Sequence, residues 1–345
     1  MYIGIDCGSV SMKATLLDDN KNIIKSTYRK NFGLIETIKI VLEDIKTEKK
    51  IKGVGITGSG REFISTLIGG DKIESEIIAH YIATTSMFPD VKTIFDIGGE
   101  DCKLIQLDGK TITNFVMNRD CGGGTGAMIE SIANRMDINL DDIGDIALRG
   151  NNKIALPSKC GVFCQSAVVS KLNKGMNKSD ILMGVCRGLI GNYFAMLGKG
   201  IKLQPPYVFQ GATAKNKALL YCFEKELSHN VLVPKNPDLM GAIGVAIATM
   251  EEHPKITNFK GFNLINSEFE TKTYFGVGCS NQCEITQIYE NSNLIGYIGN
   301  RCEKCIKTKL LNKPEVNSSS LSKKTQRRHG FPPNHKGMGI QPTIL

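Results

Sequence analysis

Apolar positions in this chain fall into short runs separated by glycine-rich polar turns. Tyr2 to Asp6 is one such run; it ends in Asp6-Cys7-Gly8-Ser9-Val10-Ser11, and a second run, Met12 to Leu17, follows before a turn at Asp18-Asp19-Asn20. Strand, glycine turn and strand predict a hairpin. Leu34 to Ile45 has helical spacing, Ile51 to Ile56 reads as a strand, and Thr57-Gly58-Ser59-Gly60-Arg61-Glu62 as a polar glycine loop. Glu76 to Tyr81 lies on a predicted helix, where His80 alone reads as a structural histidine. Thr93 to Ile97 has a buried-strand pattern, and Gly98-Gly99-Glu100-Asp101 turns the chain into another strand, Cys102 to Leu107. Beyond it the pattern predicts helices over Leu140–Leu148, Gln165–Leu172 and Ile181–Leu203. A strand at Tyr207–Phe209 breaks at Gln210-Gly211-Ala212, a helix starts at Lys217, and Val231–Val233 is a last strand. Pro237-Asp238 then leads into a helix whose small residues Gly241, Ala242, Gly244 and Ala246 permit close packing. The alternation is that of an α/β protein.

Two of these turns have the chemistry of phosphate binding. Each places an aspartate at a strand end (Asp6, Asp96), then glycines, then a strand leading back. Exposed N–H groups in such a turn can cradle a phosphate, with Ser9, Ser11 and Lys13 as further donors and Asp6 near a metal. Asp101 can approach water or metal near a terminal phosphate. One Asp-x-Gly-Ser turn alone reads as an ordinary tight turn, and two ordinary hairpins are the plain alternative. Two facing hairpins would grip a nucleotide across a cleft. The glycine turns at Gly211 and Gly241 serve equally as an adenosine seat or as packing turns.

A third kind of site is built on thiols. Cys121 stands at the mouth of the turn Cys121-Gly122-Gly123-Gly124-Thr125-Gly126, with a helical pattern straight after it. Thirty-nine positions on, Cys160 occupies a similar place in Ser158-Lys159-Cys160-Gly161-Val162-Phe163. Exposed N–H groups and a helix dipole would favour an anion at such a turn, phosphate or thiolate. Two cysteines are half of a four-thiolate cluster site; two buried structural cysteines are the alternative. Further pairs, Cys279/Cys283 and Cys302/Cys305, are separated by eighteen residues, a spacing that resembles a zinc ribbon or small cluster site or leaves four free thiols. Glu284–Tyr289 and Leu294–Ile298 between them predict a hairpin.

Composition narrows the partners. With 345 residues the chain can bury a core of two lobes plus a small appendage. Eleven cysteines with no export signal argue for reduced thiols in the cytoplasm, and no apolar run has membrane-spanning length. Of the formal charge of +9, the stretch from Arg301 onward carries +8, with ten Lys/Arg against Glu303 and Glu315. The basicity therefore belongs to a polar tail, expected to be disordered and solvated, and a nucleic-acid partner is not expected.

In their order, the Asp6 and Gly98 hairpins, the linking helix, the Gly211 turn and the Gly241 helix resemble the two-lobed core of the actin, sugar-kinase and heat-shock-chaperone ATPase superfamily, with its duplicated ribonuclease H-like domains. The closer resemblance is to the ATP-dependent activators of 2-hydroxyacyl-CoA dehydratases and the related ATPase subunits of benzoyl-CoA reductases. It rests on Gly4-Ile5-Asp6-x-Gly8-Ser9, Thr57-Gly58-x-Gly60-Arg61, Glu76-Ile77 with His80, Asp96-Ile97-Gly98-Gly99-x-Asp101, Asn118-x-x-Cys121-x-x-Gly124-Thr125-Gly126, Cys160-x-Val162-Phe163 with Ser166, and Gly241-Ala242-x-Gly244. Sugar kinases have the phosphate hairpins without the cysteine pair.

The resemblance implies a homodimer in which Cys121 and Cys160 of each subunit bind one [4Fe-4S] cluster. It implies ATP or ADP with Mg2+ at Asp6, Gly8, Ser9, Lys13, Gly98, Gly99, Asp101, Gly211, Ala212 and Gly241, with Asp6 and Asp101 as catalytic groups. A ferredoxin or flavodoxin would be the electron donor and a dehydratase or reductase component the acceptor. Cys164 departs from the family pattern and reads as a competing ligand or an inert thiol; Cys7 and Cys102 read as small packing residues. The expected organisation is a core over 1–252, a Cys-rich appendage over 270–310 holding Zn2+, a second cluster or no metal, and the basic tail over 311–345. The rival reading is a small-molecule kinase on the same fold; a non-redox ATPase with a zinc appendage is a third.

Overall fold

The structure, a computed structural model, describes residues 1–118, 123–276 and 280–299. The chain divides into a large unit, residues 1–270 with 288–296, and a small unit of 271–287 with the residues from 297 onward.

Two five-stranded sheets carry the large unit. The first is built from β1 (Tyr2–Cys7), β2 (Ser11–Leu17), β3 (Ile23–Lys30), β4 (Gly53–Thr57) and β5 (Lys72–Ile73) in the order β3-β2-β1-β4-β5, with α1 (Leu34–Ile45) and α2 (Arg61–Ile68) between its strands. Helix α3 (Glu76–Met87) leads to the second sheet. There β6 (Thr93–Ile97), β7 (Cys102–Asp108) and β8 (Thr111–Asn118) are followed by α4 (Gly126–Met136), α5 (Ile143–Ala147), α6 (Gly161–Asn173) and α7 (Lys178–Leu197). Then come β9 (Tyr207–Gln210), α8 (Lys217–Leu227), β10 (Val231–Leu232) and α9 (Met240–Glu252), giving the order β10-β9-β6-β7-β8. Last, β11 (Phe269–Phe275), β12 (Glu284–Glu290) and β13 (Asn293–Ile298) form a three-stranded sheet, so the hairpin expected between the cysteine pairs is present.

The two large sheets share one plan. β1 is antiparallel to β2 and parallel to β4, as β6 is antiparallel to β7 and parallel to β9. Both central strands are buried along their whole length, the pattern of a strand covered on both faces. The edge strand β3 is mostly exposed and polar, and in β8 Ile112, Phe115, Val116 and Met117 do not alternate with polar residues, which is why alternation of apolar residues marks neither. β3 is held instead by side chains: Thr27 and Arg29 donate to the Asp44 carboxylate of α1 at 2.6 and 2.7 Å.

Several helix boundaries differ from expectation. The loop expected over Thr57–Glu62 becomes α2 at Arg61, whose buried face is Phe63, Ile64, Leu67 and Ile68. α6 begins at Gly161 rather than Gln165, because Val162 and Phe163 in its first turn face outward and break the apolar periodicity. α7 ends at Leu197 instead of Leu203; Gly198 and Gly200 follow, and Gly200 has a left-handed φ of 75° that stops the helix.

α9 is buried from Met240 to Met250, as an apolar-all-round helix must be, and packs on β1, β4 and α3. In the second half, Phe95 stacks on Phe223 with centroids 4.9 Å apart, and Tyr193 meets both edge-on. Tyr193 also donates its hydroxyl to the Lys103 carbonyl at 2.7 Å, tying this core to β7. In the small unit Tyr274, Cys283 and Ile285 are buried together. Cys279, Cys302, Cys305 and the basic tail lie outside the described residues. No helix among the described residues is long and apolar enough to cross a membrane.

Candidate functional site

The ends of β1 and β6 meet at a cavity of about 380 Å³. Its walls include Asp6, Gly8, Ser9 and Lys13 from the first hairpin and Gly98, Gly99 and Asp101 from the second, with Gly211 and Ala212 beside them. Nine of the ten residues expected at the nucleotide site thus line one cleft. The tenth, Gly241, is not among its lining residues: it stands behind Asp6, whose Oδ2 lies 2.9 Å from where a Gly241 β-carbon would be. The start of α9 is there turned to the carboxylate, an arrangement that its dipole favours.

Each hairpin turn is closed the same way. The Gly8 N–H donates to the Ser11 carbonyl at 3.0 Å and the Gly98 N–H to the Asp101 carbonyl at 2.9 Å. Strand register then sets Asp6 opposite Lys13 and Asp96 opposite Lys103. Lys13 Nζ is 3.2 Å from Asp6, and Asp6 and its neighbours hold the ammonium above its ordinary pKa against the opposing effect of burial. Lys103 is more enclosed, at 2.9 Å from Asp101, 3.1 Å from Glu76 and 3.4 Å from Asp96. Burial works against its charge, but the three carboxylates raise its pKa strongly. Burial likewise opposes ionisation of Asp96, yet His80, Lys103 and Lys13 hold this carboxyl below its ordinary value.

His80 is a structural histidine with a place in the cleft. Its Nδ1 lies 2.8 Å from Gln210 Nε2, and Gln210 Oε1 accepts from Thr84 at 2.7 Å. It also lies 3.7 Å from Asp96 Oδ1, a buried oxygen with no hydrogen-bond partner. Lys103, Arg61, Glu76, Glu100 and Asp238 line the cavity as well; Arg61 and Glu76 stand in the family motifs but were given no role at the site, and the other three stand in none as site residues. Lys103 had a signal, since it follows Asp96 at the interval by which Lys13 follows Asp6.

The turns that follow the central parallel neighbours also repeat. Gly58, after β4, has a φ of 95°, and Gly211, after β9, one of 87°. A β-carbon on Gly58 would fall on the Cys7 carbonyl, and one on Gly211 on the Ile97 carbonyl. Each turn is therefore pressed against a hairpin at the residue after its aspartate. Cys7 and Cys102 are buried as expected of packing residues, and desolvation pushes both thiols up to about 12.

A second cavity of about 450 Å³ shares Val10, Tyr28, Gly98, Gly99, Ala212 and Asp238 with the first, and Ile129, Leu140 and Asn216 add to its wall. Two contacts cross between the halves at the mouths of these cavities. Ser9 donates to Glu100 at 2.7 Å, and Lys30 on β3 pairs with Glu130 on α4 at 2.5 Å.

Cys121 lies outside the described residues; the helix that follows it does not. The first-turn N–H groups of Gly126 and Ala127 in α4 donate to the carbonyls of Gly98 and Gly99 at 2.9 and 2.8 Å. These two donors of the helix start are taken up by the second hairpin. Buried Asn192 of α7 holds the same loop by donating to the Gly123 carbonyl at 3.2 Å. Cys160 precedes the first turn of α6, and Gly161 sits against Met128 of α4, so α4 and α6 start side by side. Among the described cysteines Cys160 is partly exposed while Cys7, Cys102, Cys164, Cys186, Cys222 and Cys283 are buried. Burial raises the pKa of the Cys164 thiol. Among the described residues no three His, Cys, Asp or Glu groups converge as a metal cage.

Comparison with known proteins agrees with this architecture. The (R)-2-hydroxyglutaryl-CoA dehydratase activating ATPase of Acidaminococcus fermentans is 29% identical over 258 residues, 73% of this chain and 98% of that protein. The 2-hydroxyisocaproyl-CoA dehydratase activator of Clostridioides difficile is 32% identical over 260 residues, 73% of this chain and 96% of the relative. A structure of the activator from Clostridium difficile with bound ADPNP superposes with a TM-score of 0.68 at 29% identity, covering 73% of this chain and 96% of that one. The fold is thus the two-lobed actin-like one. With the model of the BadF/BadG/BcrA/BcrD ATPase family matching residues 3–248, the chain belongs to that family.

Proposed function

We propose that this protein is an ATP-dependent reductive activator of a 2-hydroxyacyl-CoA dehydratase or related acyl-CoA reductase. In this reading two copies work in the cytoplasm as a homodimer, receive an electron from a ferredoxin or flavodoxin, and pass it to the partner enzyme as ATP is hydrolysed. The observation that carries it is the bond between the Gly98–Gly99 turn and the first turn of α4, the helix that follows Cys121. A phosphate gripped by that turn pulls on the same backbone that positions the cysteine loop.

The residues present fit a nucleotide. Lys13 and Lys103 supply charge, and the two closed glycine turns supply backbone to phosphates. Asp96 Oδ1, buried and without a hydrogen-bond partner, is suited to a water of a hydrated Mg2+. The second cavity, with Ile129, Ala212 and Asn216, suits adenosine. The ADPNP bound to the similar activator from Clostridium difficile supports nucleotide binding.

The one described ligand candidate for the cluster also fits, since Cys160 is the partly exposed thiol and sits at a helix start. A [4Fe-4S] cluster held by Cys121 and Cys160 of both subunits would supply a site for one low-potential electron. The chain's own part is mechanical. ATP and ADP must favour different lobe arrangements, and the Ser9–Glu100 and Lys30–Glu130 contacts are those that change when the lobes move. In the appendage, Cys283 with Cys279, Cys302 and Cys305 would hold a structural metal; loss of bound zinc or iron in Cys283→Ser checks it.

The deciding experiment is phosphate release by the anaerobic protein without any acceptor, followed by a screen of sugars and small acids. An activator releases phosphate slowly without an acceptor, and Asp101→Ala depresses that rate. Stoichiometric phosphorylation of a small molecule would make the protein a kinase.

A further inference from the structure

The cleft holds three cations, and their surroundings differ. Lys13 is paired with Asp6, and Lys103 with Glu76, Asp96 and Asp101. The third, Arg61, donates one Nη1 hydrogen bond to the Gly58 carbonyl at 3.1 Å and stands 3.9 Å from Glu62, whose own side chain is 65% exposed. A guanidinium has five N–H donors in a planar fork. One is used, and a carboxylate at 3.9 Å in solvent contributes little. Arg61 therefore lines the cavity with donors to spare.

Its position is held firmly. The Gly60 N–H donates to the Cys7 carbonyl at 3.0 Å, Ser59 Oγ donates to the same oxygen at 3.4 Å, and Gly58 is pressed on Cys7 from above. Cys7 lies between Asp6 and Gly8, so the turn that presents Arg61 is fastened to the first phosphate hairpin. The equivalent turn of the second half is fastened in the same way at Ile97 but places uncharged Gly211 and Ala212 in the first cavity; its one cation, Lys215, lines the second cavity and is paired with Asp238 at 2.7 Å. The two hairpins are nearly alike; the two turns are what distinguish the ends of the cleft. Ser59 and Arg61 line the first cavity and not the second, so a nucleotide with its base by Ala212 and Asn216 in the second would have its phosphates in the cavity that Arg61 lines.

We propose that Arg61 is a catalytic residue of ATP hydrolysis, its guanidinium binding the equatorial oxygens of the γ-phosphoryl group as charge builds there. This rests on the ATPase reading above. In the step it serves, a water oxygen bonds to the γ-phosphorus as the bond from that phosphorus to the β–γ bridging oxygen breaks. The released electron pair stays on the β-phosphate of ADP, and the water gives up a proton that ends in solvent. Charge spreads over the three equatorial oxygens in such a transition state, and a bidentate guanidinium matches two of them.

The test compares Arg61→Ala and Arg61→Lys with the unaltered chain in ATP turnover, ADPNP affinity, and trapping of ADP with aluminium fluoride. Arg61→Ala should lower kcat by roughly 10²–10³-fold, the usual cost of one transition-state donor. ADPNP affinity should move by less than about 5-fold, and the aluminium fluoride complex should no longer form, since only interactions stronger in the transition state change kcat. Arg61→Lys keeps the charge but not the fork and should still lose at least about 10-fold. It decides the matter if Arg61→Ala melts early. A kcat within about 3-fold of the unaltered chain, or a loss of ADPNP affinity with kcat intact, would overturn the assignment. If the unaltered chain neither binds ADPNP nor releases phosphate, the ATPase reading fails and the Arg61 proposal with it.

Discussion

The first and second sheets repeat strand order, pairing sense, hairpin register and the glycine turn pressed on the hairpin, yet they differ in the surroundings of the repeated lysine and in the path of the chain after the third strand. Lys13 has one carboxylate partner, whereas Lys103 has three. After β3 the chain runs through α1 alone before it rejoins the sheet, while after β8 it runs through α4 to α7. The repeated parts make a symmetric grip. The unrepeated parts give it direction: the helices carrying the cysteine turns hang from the second half, and α4 is bonded to the second hairpin but not to the first. In the proposed function, nucleotide bound by both halves would act on the cysteine turns through the second.

The largest expected effect of breaking this comparison is at Lys103. Lys103→Met leaves three carboxylates facing one another in a buried site, and removing one partner of a buried ionic cluster costs about 3–5 kcal/mol. Lys13→Met should cost clearly less, because a single, partly exposed pair is lost. Urea titration of the two variants gives the difference directly, and equal losses would show that the halves are electrostatically alike. Next come the glycine turns. Gly58→Ala and Gly211→Ala each place a β-carbon on a hairpin carbonyl at positive φ, with strain of about 1–3 kcal/mol expected in both. Similar drops in melting temperature would sharpen the structural repeat, and a drop in only one would break it.

Asp96 predicts an asymmetric acid limb. Its folded pKa lies below the unfolded value, so its stabilising contribution is complete above about pH 4 and is lost as pH falls through the folded pKa. Asp96→Asn should flatten the loss of stability below about pH 4. An unchanged acid profile would mean that the charge on Asp96 contributes nothing to the fold. The smallest effects belong to the bridges across the cleft. Glu100→Gln and Lys30→Met each remove an exposed contact and should change stability by less than about 1 kcal/mol. Their signature is instead a several-fold change in the ratio of ATP to ADP affinity, measured with fluorescent analogues. An unchanged ratio in both would show that these contacts do not respond to lobe movement.

Much of this architecture is legible in the residues because it depends on local rules. β1, β6 and α1 carry the periodicity of their burial, and the hairpin turns carry their glycines. Edge strand β3 is not legible, since it is held by neighbours such as Asp44, and β8 is not because its apolar residues Ile112, Phe115, Val116 and Met117 do not alternate with polar ones. α6 is blurred by Val162 and Phe163, apolar residues that stay outside. At the site, the nucleotide residues follow from their turns. Glu76 and Arg61 stand in motifs of the resembled family, but those motifs do not say that the packing of α3 and α2 brings them into the cavity. The bond from α4 to the Gly98 turn is equally hidden, because backbone donors leave no mark on residue identity.

The central claim, that nucleotide state reaches the cysteine turns through that bond, is tested most directly by iron content and EPR of the anaerobically purified, reduced protein, titrated in turn with ATP and ADP. The account predicts four irons per two chains and a spectrum that differs between the nucleotides, lost with its visible absorbance in Cys160→Ser and kept in Cys164→Ser. A protein that contains no iron, or whose cluster spectrum is the same in ATP and ADP, would contradict it.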